Sequence, residues 1–230
     1  MAGRLFDAVT GTRFAEVKLL LDLHVNVDCK NILGQTPLFV TLQIDDEGKR
    51  DKMFRYLVRR GAEVLEEDYR QKTLFQYTCE LGRVKQATRI LDQVGAGSVN
   101  LNGRDLDGNT ALLYAVKSKN IEIVKMLVEM LRFYHMTVDL VDNDGCTPLI
   151  HAKKLGLSEI SDILLRDGRA NAHIADNISR FNAYEWEEHT KERLKREARD
   201  EKEKQKVQNL IFPKVGQVQA KKKQILDLMV

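Results

Sequence analysis

The sequence is short of most features that would mark a catalyst, a secreted protein or a membrane protein. Among 230 residues there are three cysteines, Cys29, Cys79 and Cys146. They are odd in number, far apart and form no CxxC pair, which excludes a disulfide framework and leaves small apolar core thiols in a reducing compartment. No uncharged apolar run approaches the roughly 20 residues that span a bilayer, so no membrane partner is expected. The opening residues, Met1-Ala2-Gly3-Arg4-Leu5-Phe6-Asp7, lack the apolar stretch of a secretory leader. There is no excess of one charge either: 37 basic residues face 34 acidic ones, a formal net charge of +3. Nothing global therefore asks for nucleic acid. The default setting is the cytoplasm, with cytoskeleton, cilium and nucleus left open.

Catalytic signatures are missing as well. GxGxxG, GxxxxGK[ST], HExxH and GxSxG do not occur. The five histidines (24, 135, 151, 173 and 189) are scattered, and no His/Cys spacing matches a zinc site. Asp142-Asn143-Asp144-Gly145 looks faintly like a calcium loop. With Gly145 in the loop-glycine position, however, Leu140 falls on the first ligand position and His151 where a bidentate Glu is needed, so a turn is the better reading. Neither a metal nor a cofactor is expected, and an enzyme reading has no constellation to stand on.

What the chain does have is a period. Gly34-Gln35-Thr36-Pro37-Leu38, Gln71-Lys72-Thr73-Leu74-Phe75, Gly108-Asn109-Thr110-Ala111-Leu112 and Gly145-Cys146-Thr147-Pro148-Leu149 align, and each threonine lies 37 residues after the one before. Five residues ahead of each stands a polar turn former: Asn31, Asp68, Asp105 and Asp142. Each unit makes physical sense. Asp and Gly supply a tight turn, Thr caps a helix, and Pro at the first helical position gives up an N–H that has no intrahelical partner. One short helix follows, then a second such as Ile121 to Met130 or Ser158 to Arg166, stopped near Gly61 or Gly168. Neither helix can bury its apolar face alone, so the units must stack.

The pattern resembles the ankyrin repeat, a β-turn plus two antiparallel helices with a T-P-L-H-x-A signature. Thr147-Pro148-Leu149-Ile150-His151-Ala152 is the nearest match and Thr36-Pro37-Leu38 the next. The resemblance implies an all-α ankyrin-repeat solenoid of about five helix-turn-helix units, followed by a long charged C-terminal helix. The repeats fall at about 4–30, 31–67, 68–104, 105–141 and 142–177, within a domain 1–177. Residues 178–230 form a capping segment, the charged helix and a short apolar C-terminal segment. The family's histidine after T-P-L is absent, with Phe39, Gln76, Leu113 and Ile150 in its place. Its hydrogen bonds between neighbouring turns must be replaced by apolar contact or lost. The period exceeds the family's usual one. The extra residues fall between the helices of the second unit, at 44–50, and after the second helix of the fourth, around 132–136.

Beyond Asn177 the periodicity is expected to stop. Residues 185–206 hold eight acidic and eight basic residues without Gly or Pro. Glu187/Lys191, Glu192/Arg196 and Asp200/Lys204 are spaced four apart with the acid first, the favourable order on a helix. Apolar residues there are too few and wrongly spaced for a coiled-coil seam. Phe181, Tyr184 and Trp186 are placed to cover the open end of the last repeat. Lys221-Lys222-Lys223 reads as a solvated face. The final Ile225-Leu226-Asp227-Leu228-Met229-Val230 can fold back, dock on another protein or stay loosely ordered.

The resemblance also implies where a partner would bind: on the concave surface lined by turn tips and first helices. By register this gives Tyr69, Arg70, Leu106, Asp107, Asn109 and Asp144 at the tips. Four residues after each threonine stand Val40, Tyr77, Tyr114 and His151, flanked by Lys117 and Lys154, which would favour an acidic partner. The alternative is that these side chains merely pack between neighbouring first helices. Two functions follow. One is a non-catalytic adaptor that holds another protein in the groove, with the tail as a second contact. The other is a structural component of a cytoskeletal, ciliary or axonemal assembly, with the charged helix as a strut.

Overall fold

The computed structural model describes residues 2–211. The apolar C-terminal segment and the three consecutive lysines lie outside the described residues. The described residues contain eleven α-helices, a single 3-10 turn at Ala96–Ser98, and no strand beyond one isolated bridge between Glu67 and Thr73. The first helices of the units are α1 (Ala2–Thr10), α3 (Pro37–Thr41), α5 (Leu74–Glu80), α7 (Ala111–Lys117) and α9 (Pro148–Lys154). The second helices are α2 (Phe14–Asp22), α4 (Glu47–Arg59), α6 (Val84–Val94), α8 (Ile121–Phe133) and α10 (Ser158–Arg166). A longer helix, α11 (Ala183–Ile211), follows. First helices pack on first helices along the row, as do α4 with α6 and α8 with α10. The ten short helices are thus the five expected pairs, and the longer helix falls where it was expected.

Each threonine starts its helix with the predicted backbone, but only three side chains cap. Thr73 accepts from the Gln76 amide and Gln76 answers at the Thr73 N–H, a reciprocal capping box. Thr110 and Thr147 accept from Leu113 and Ile150. Thr36 is fully buried and its hydroxyl has no partner. The helix it begins, α3, is only five residues long.

The extra residues are taken up differently from the expectation. In the second unit the stretch at 44–50 is not a free loop. Asp46 caps α4 through the Lys49 amide, and Glu47–Arg50 form its first turn. In the fourth unit Arg132 and Phe133 extend α8, and the chain turns at Tyr134 and His135. An insertion that can continue a helix satisfies its backbone groups there, and a loose loop would leave them to water.

A buried apolar layer runs through the stack, from Leu5, Ala8 and Val9 through Leu38, Met53, Leu57, Leu74, Ile90, Leu112, Val124, Leu127 and Leu149 to Leu164. Cys79 and Cys146 are buried within it, Cys29 is half-buried, and all three thiols are free. A fifth turn spans Asn177, closed by the Asp176 amide donating to the Phe181 carbonyl. Asn182 then caps α11 by accepting from Tyr184 and Glu185, while Glu185 accepts from the Asn182 amide. The start of α11 is therefore built as the first helix of a sixth unit.

Two compact units result: Met1–Trp186, and the part that begins at Glu187. In the second, Lys191 and Arg196 pair with Glu187 and Glu192 as expected, at 2.6 and 3.7 Å, and Arg193 pairs with Glu197. Asp200 and Lys204 do not close. Such exposed pairs are worth about 0.2–0.5 kcal/mol each.

Candidate functional site: a ladder of turn tips

The site is the row of turns joining successive units, and its geometry follows from one residue repeated. In every turn the Asx side chain at the threonine minus five position accepts two backbone amides through Oδ1. Asn31 takes those of Leu33 and Gln35, Asp68 those of Arg70 and Lys72, Asp105 those of Asp107 and Asn109, and Asp142 those of Asp144 and Cys146. All eight bonds lie between 2.8 and 3.1 Å. They fix each turn by itself.

Successive turns are then joined by a backbone bond. The amides of Tyr69, Leu106, Asn143 and Asn177 donate to the carbonyls of Leu33, Arg70, Asp107 and Asp144. The contact is close enough to need glycine. Gly34 has φ +79°, and a Cβ there would stand 2.6 Å from the Tyr69 ring; at Gly145, with φ +77°, it would stand 2.6 Å from the Asn177 side chain.

The second oxygen of each aspartate holds the residue nine positions on. Tyr77 donates to Asp68 at 2.9 Å and Tyr114 to Asp105 at 2.5 Å, and His151 Nε2 lies 2.7 Å from Asp142 Oδ2. At the fifth turn Trp186 Nε1 donates to Asp176 Oδ2 at 2.7 Å and takes the same place. Where the turn carries neutral Asn31, the matching helix residue is apolar Val40. The pairing is thus chemical: a buried carboxylate oxygen is costly without a donor.

Burial and the Asp68 hydrogen bond push the Tyr77 hydroxyl up to about 12, and burial with the Asp105 hydrogen bond raises Tyr114. Burial alone would raise Asp142. The His151 hydrogen bond and the Cys146 amide outweigh it and hold this carboxyl below the usual carboxylate range.

Lysines cross from one unit to the next. Lys72 sits between two rings, 4.3 Å from the Tyr77 centroid and 3.7 Å from that of Tyr114, and pairs with Glu80 at 2.6 Å. Lys117 donates to Asn109 at 2.6 Å and reaches Asp142 at 3.3 Å. Lys154 lies 4.2 Å from the Trp186 ring centroid and 3.1 Å from Cys146 Sγ. Gln76 is buried, and its amide donates to the Gly103 carbonyl at the end of its own unit and to the Asn109 carbonyl of the next. At that position the inter-turn hydrogen bonds expected to be replaced by apolar contact or lost are made by a different side chain.

The sequence-predicted residues therefore divide. Tyr69, Arg70, Leu106, Asp107 and Asp144 are exposed on the tips, and Arg70 donates through one Nη to both carboxylate oxygens of Asp107 at 2.6 Å. Asn109 and Tyr114 are buried, Tyr114 being only 8% exposed. Tyr77, Lys117, His151 and Lys154 are half-buried and tied into the ladder. Lys117 and Lys154, expected to favour an acidic partner, face groups of this chain.

Tyr184, expected with Phe181 and Trp186 over the last repeat, is 54% exposed, its ring 5.7 Å from that of His173. Ala183 and Trp186 sit against the last unit, and the Phe181 ring lies 5.4 Å from that of Trp186. Ile32, 93% exposed, is a tip residue the register reading passed over. Its signal was available: Ile32, Tyr69 and Leu106 are spaced like the threonines.

One metal-like group occurs among the described residues. Asp142, Cys146 and His151 bring ligand atoms within 4.8 Å of one another. The ammonium groups of Lys117 and Lys154 already face Asp142 and Cys146, so a dication would meet two cations there. The group fits the ladder better than a metal.

The family profile described as Ankyrin repeats (3 copies) matches residues 88–177. The mouse B-cell lymphoma 3 protein homolog is 31% identical over 187 residues, 78% of this chain and 40% of its own length. Mouse ankyrin repeat domain-containing protein 63 is 28% identical over 130 residues, 56% of this chain and 32% of its own. The chain thus spans well under half the length of these relatives. The crystal structure of the ankyrin repeat protein EF0377 superposes with a TM-score of 0.67 at 26% identity, covering 82% of this chain and 92% of that one.

Proposed function

From the premise that this chain is built of ankyrin repeats, we propose that it is a non-catalytic adaptor that holds another protein against its turn tips and first helices, the concave face of the family. The observation that carries the reading is the apolar row on a rigid mount. Ile32, Leu33, Tyr69 and Leu106 are 93, 56, 66 and 54% exposed on three successive turns, and those turns are fixed by the bonds described above. Exposed apolar side chains held still lose little entropy on binding, and aromatic ones carry much of the energy of protein interfaces. The ladder behind them serves as the mount, and the tips as the contact.

The test is capture from native-cell extract with the full chain and a Tyr69→Ser/Leu106→Ser variant. Both positions are exposed, so the variant should melt within a degree or two of the parent. The protein captured by the parent should be retained at least ten-fold less well. Equal capture by both overturns the reading. The exposed, charged residues 191–206 of α11 favour a second role, as a contact or strut within a larger cytoskeletal or ciliary assembly. Loss of capture on deleting 191–206, with the tip variant unaffected, would support that instead.

A further inference from the structure

On the second-helix side of the stack, away from the turns, α4 and α6 leave a cleft of about 270 Å³. Its apolar floor is Phe54, Val58 and Val64; Phe54 and Val64 are buried and Val58 half-buried. Arg55 and Arg59 rise on the α4 side, with Arg89, Asp92 and Gln93 on the α6 side.

The charges are unevenly met. Asp51 takes Arg89 through both oxygens, at 2.6 and 3.1 Å, and Arg55 stands 3.9 Å from it. Arg59 has no carboxylate partner among the described residues. Helix α4 carries Lys49, Arg50, Lys52, Arg55 and Arg59 against Glu47 and Asp51 only. Arg55 and Arg59 are four apart on one helix face, where like charges repel. An anion at the rim relieves that repulsion, and an apolar side chain fills the floor.

We propose that this cleft is a second binding site, taking an acidic peptide segment of a partner protein that places a leucine or phenylalanine on the floor and its carboxylates against Arg55 and Arg59. Charge complementarity selects the occupant. A bare anion would leave the floor wet and would meet Asp92, whereas a peptide offers main-chain N–H groups that Asp92 and Gln93 can accept. The proposal does not depend on the turn tips.

The experiment is an amide NMR titration of the full chain with the synthetic peptide acetyl-Glu-Glu-Leu-Phe-Glu-Glu-amide, beside a counterpart with glutamine for every glutamate. The expected result is saturable shifts concentrated at 54–59 and 89–93, at least ten-fold weaker binding of the glutamine peptide, and a similar loss in Arg55→Glu/Arg59→Glu. Gln93→Trp, which adds bulk at the mouth, should weaken binding without touching the arginines. Tyr69→Ser/Leu106→Ser should leave it unchanged. Equal binding of both peptides, unchanged affinity in the arginine variant, or equal shifts from inorganic phosphate or a short RNA overturns the proposal. So does a shift pattern centred on the tips.

Discussion

Thr36 and Thr110 occupy one register position and have different environments. Thr110 caps α7 through Leu113, whereas the buried Thr36 hydroxyl is without a partner. Thr110→Val should cost about 1–2 kcal/mol, the usual value of a lost N-cap. Thr36→Val should be neutral or stabilising, because it removes a desolvated hydroxyl that makes no bond. Urea melts of the two variants give the comparison; equal losses contradict it.

Asp142 gives a pH signature. Its folded carboxyl is held below the usual range, so in acid the unfolded chain binds the proton more readily. Its contribution is present above the unfolded value, about 3.9, and fades as pH falls through the lower folded value. Asp142→Asn should be less stable at pH 7, and its stability should fall less steeply below about pH 4. Parallel slopes in guanidinium titrations across that window would remove Asp142 from the account.

At the scale of elements, the first turn of α11 closes the repeats by reproducing the ladder with an indole. Trp186 is half-buried, so Trp186→Ala should cost about 2–3 kcal/mol, below the range for a fully buried ring. Trp186→Phe should recover the packing and leave Asp176 without its indole donor, at a cost of about 1 kcal/mol. Chemical denaturation separates the variants, and a cost for Phe equal to that for Ala would show that the hydrogen bond, not the ring, matters. The sequence pointed to Trp186 as a cap through its position beyond the last periodic unit. It did not show that Asn182 and Glu185 cap the helix, because an Asn in place of the repeated Thr hides the register, and the spacing from Asp142 to Asp176 is shorter than the earlier steps.

Across the whole stack, the ladder is uneven. From Asp68 onward every turn carboxylate has a donor on its helix, while the step at Asn31 faces Val40 and carries no charge. Native-state hydrogen exchange should therefore find α3, whose turn lacks this bond, opening before α7 and α9, since local opening follows the fewest bonds holding an element. Lys72→Met, which removes the ammonium between the Tyr77 and Tyr114 rings, should narrow the difference by weakening the centre. Uniform protection would mean that apolar packing alone sets the order.

The repeat, its turns and the helix pairs were legible in the order of residues, because a threonine, an Asx residue and an apolar helix face act within a few residues of one another and recur at one spacing. That order also located the tips, since a turn projects from a stack wherever its register falls. It could not divide Tyr77, Tyr114, Lys117, His151 and Lys154 from Tyr69 and Leu106. A tyrosine or lysine has the same local chemistry whether it meets a partner or its own chain. Only the packing of one unit on the next, which puts Asp105 beneath the Tyr114 hydroxyl and Lys72 between two rings, decided that these side chains build the mount and that the tips stay exposed.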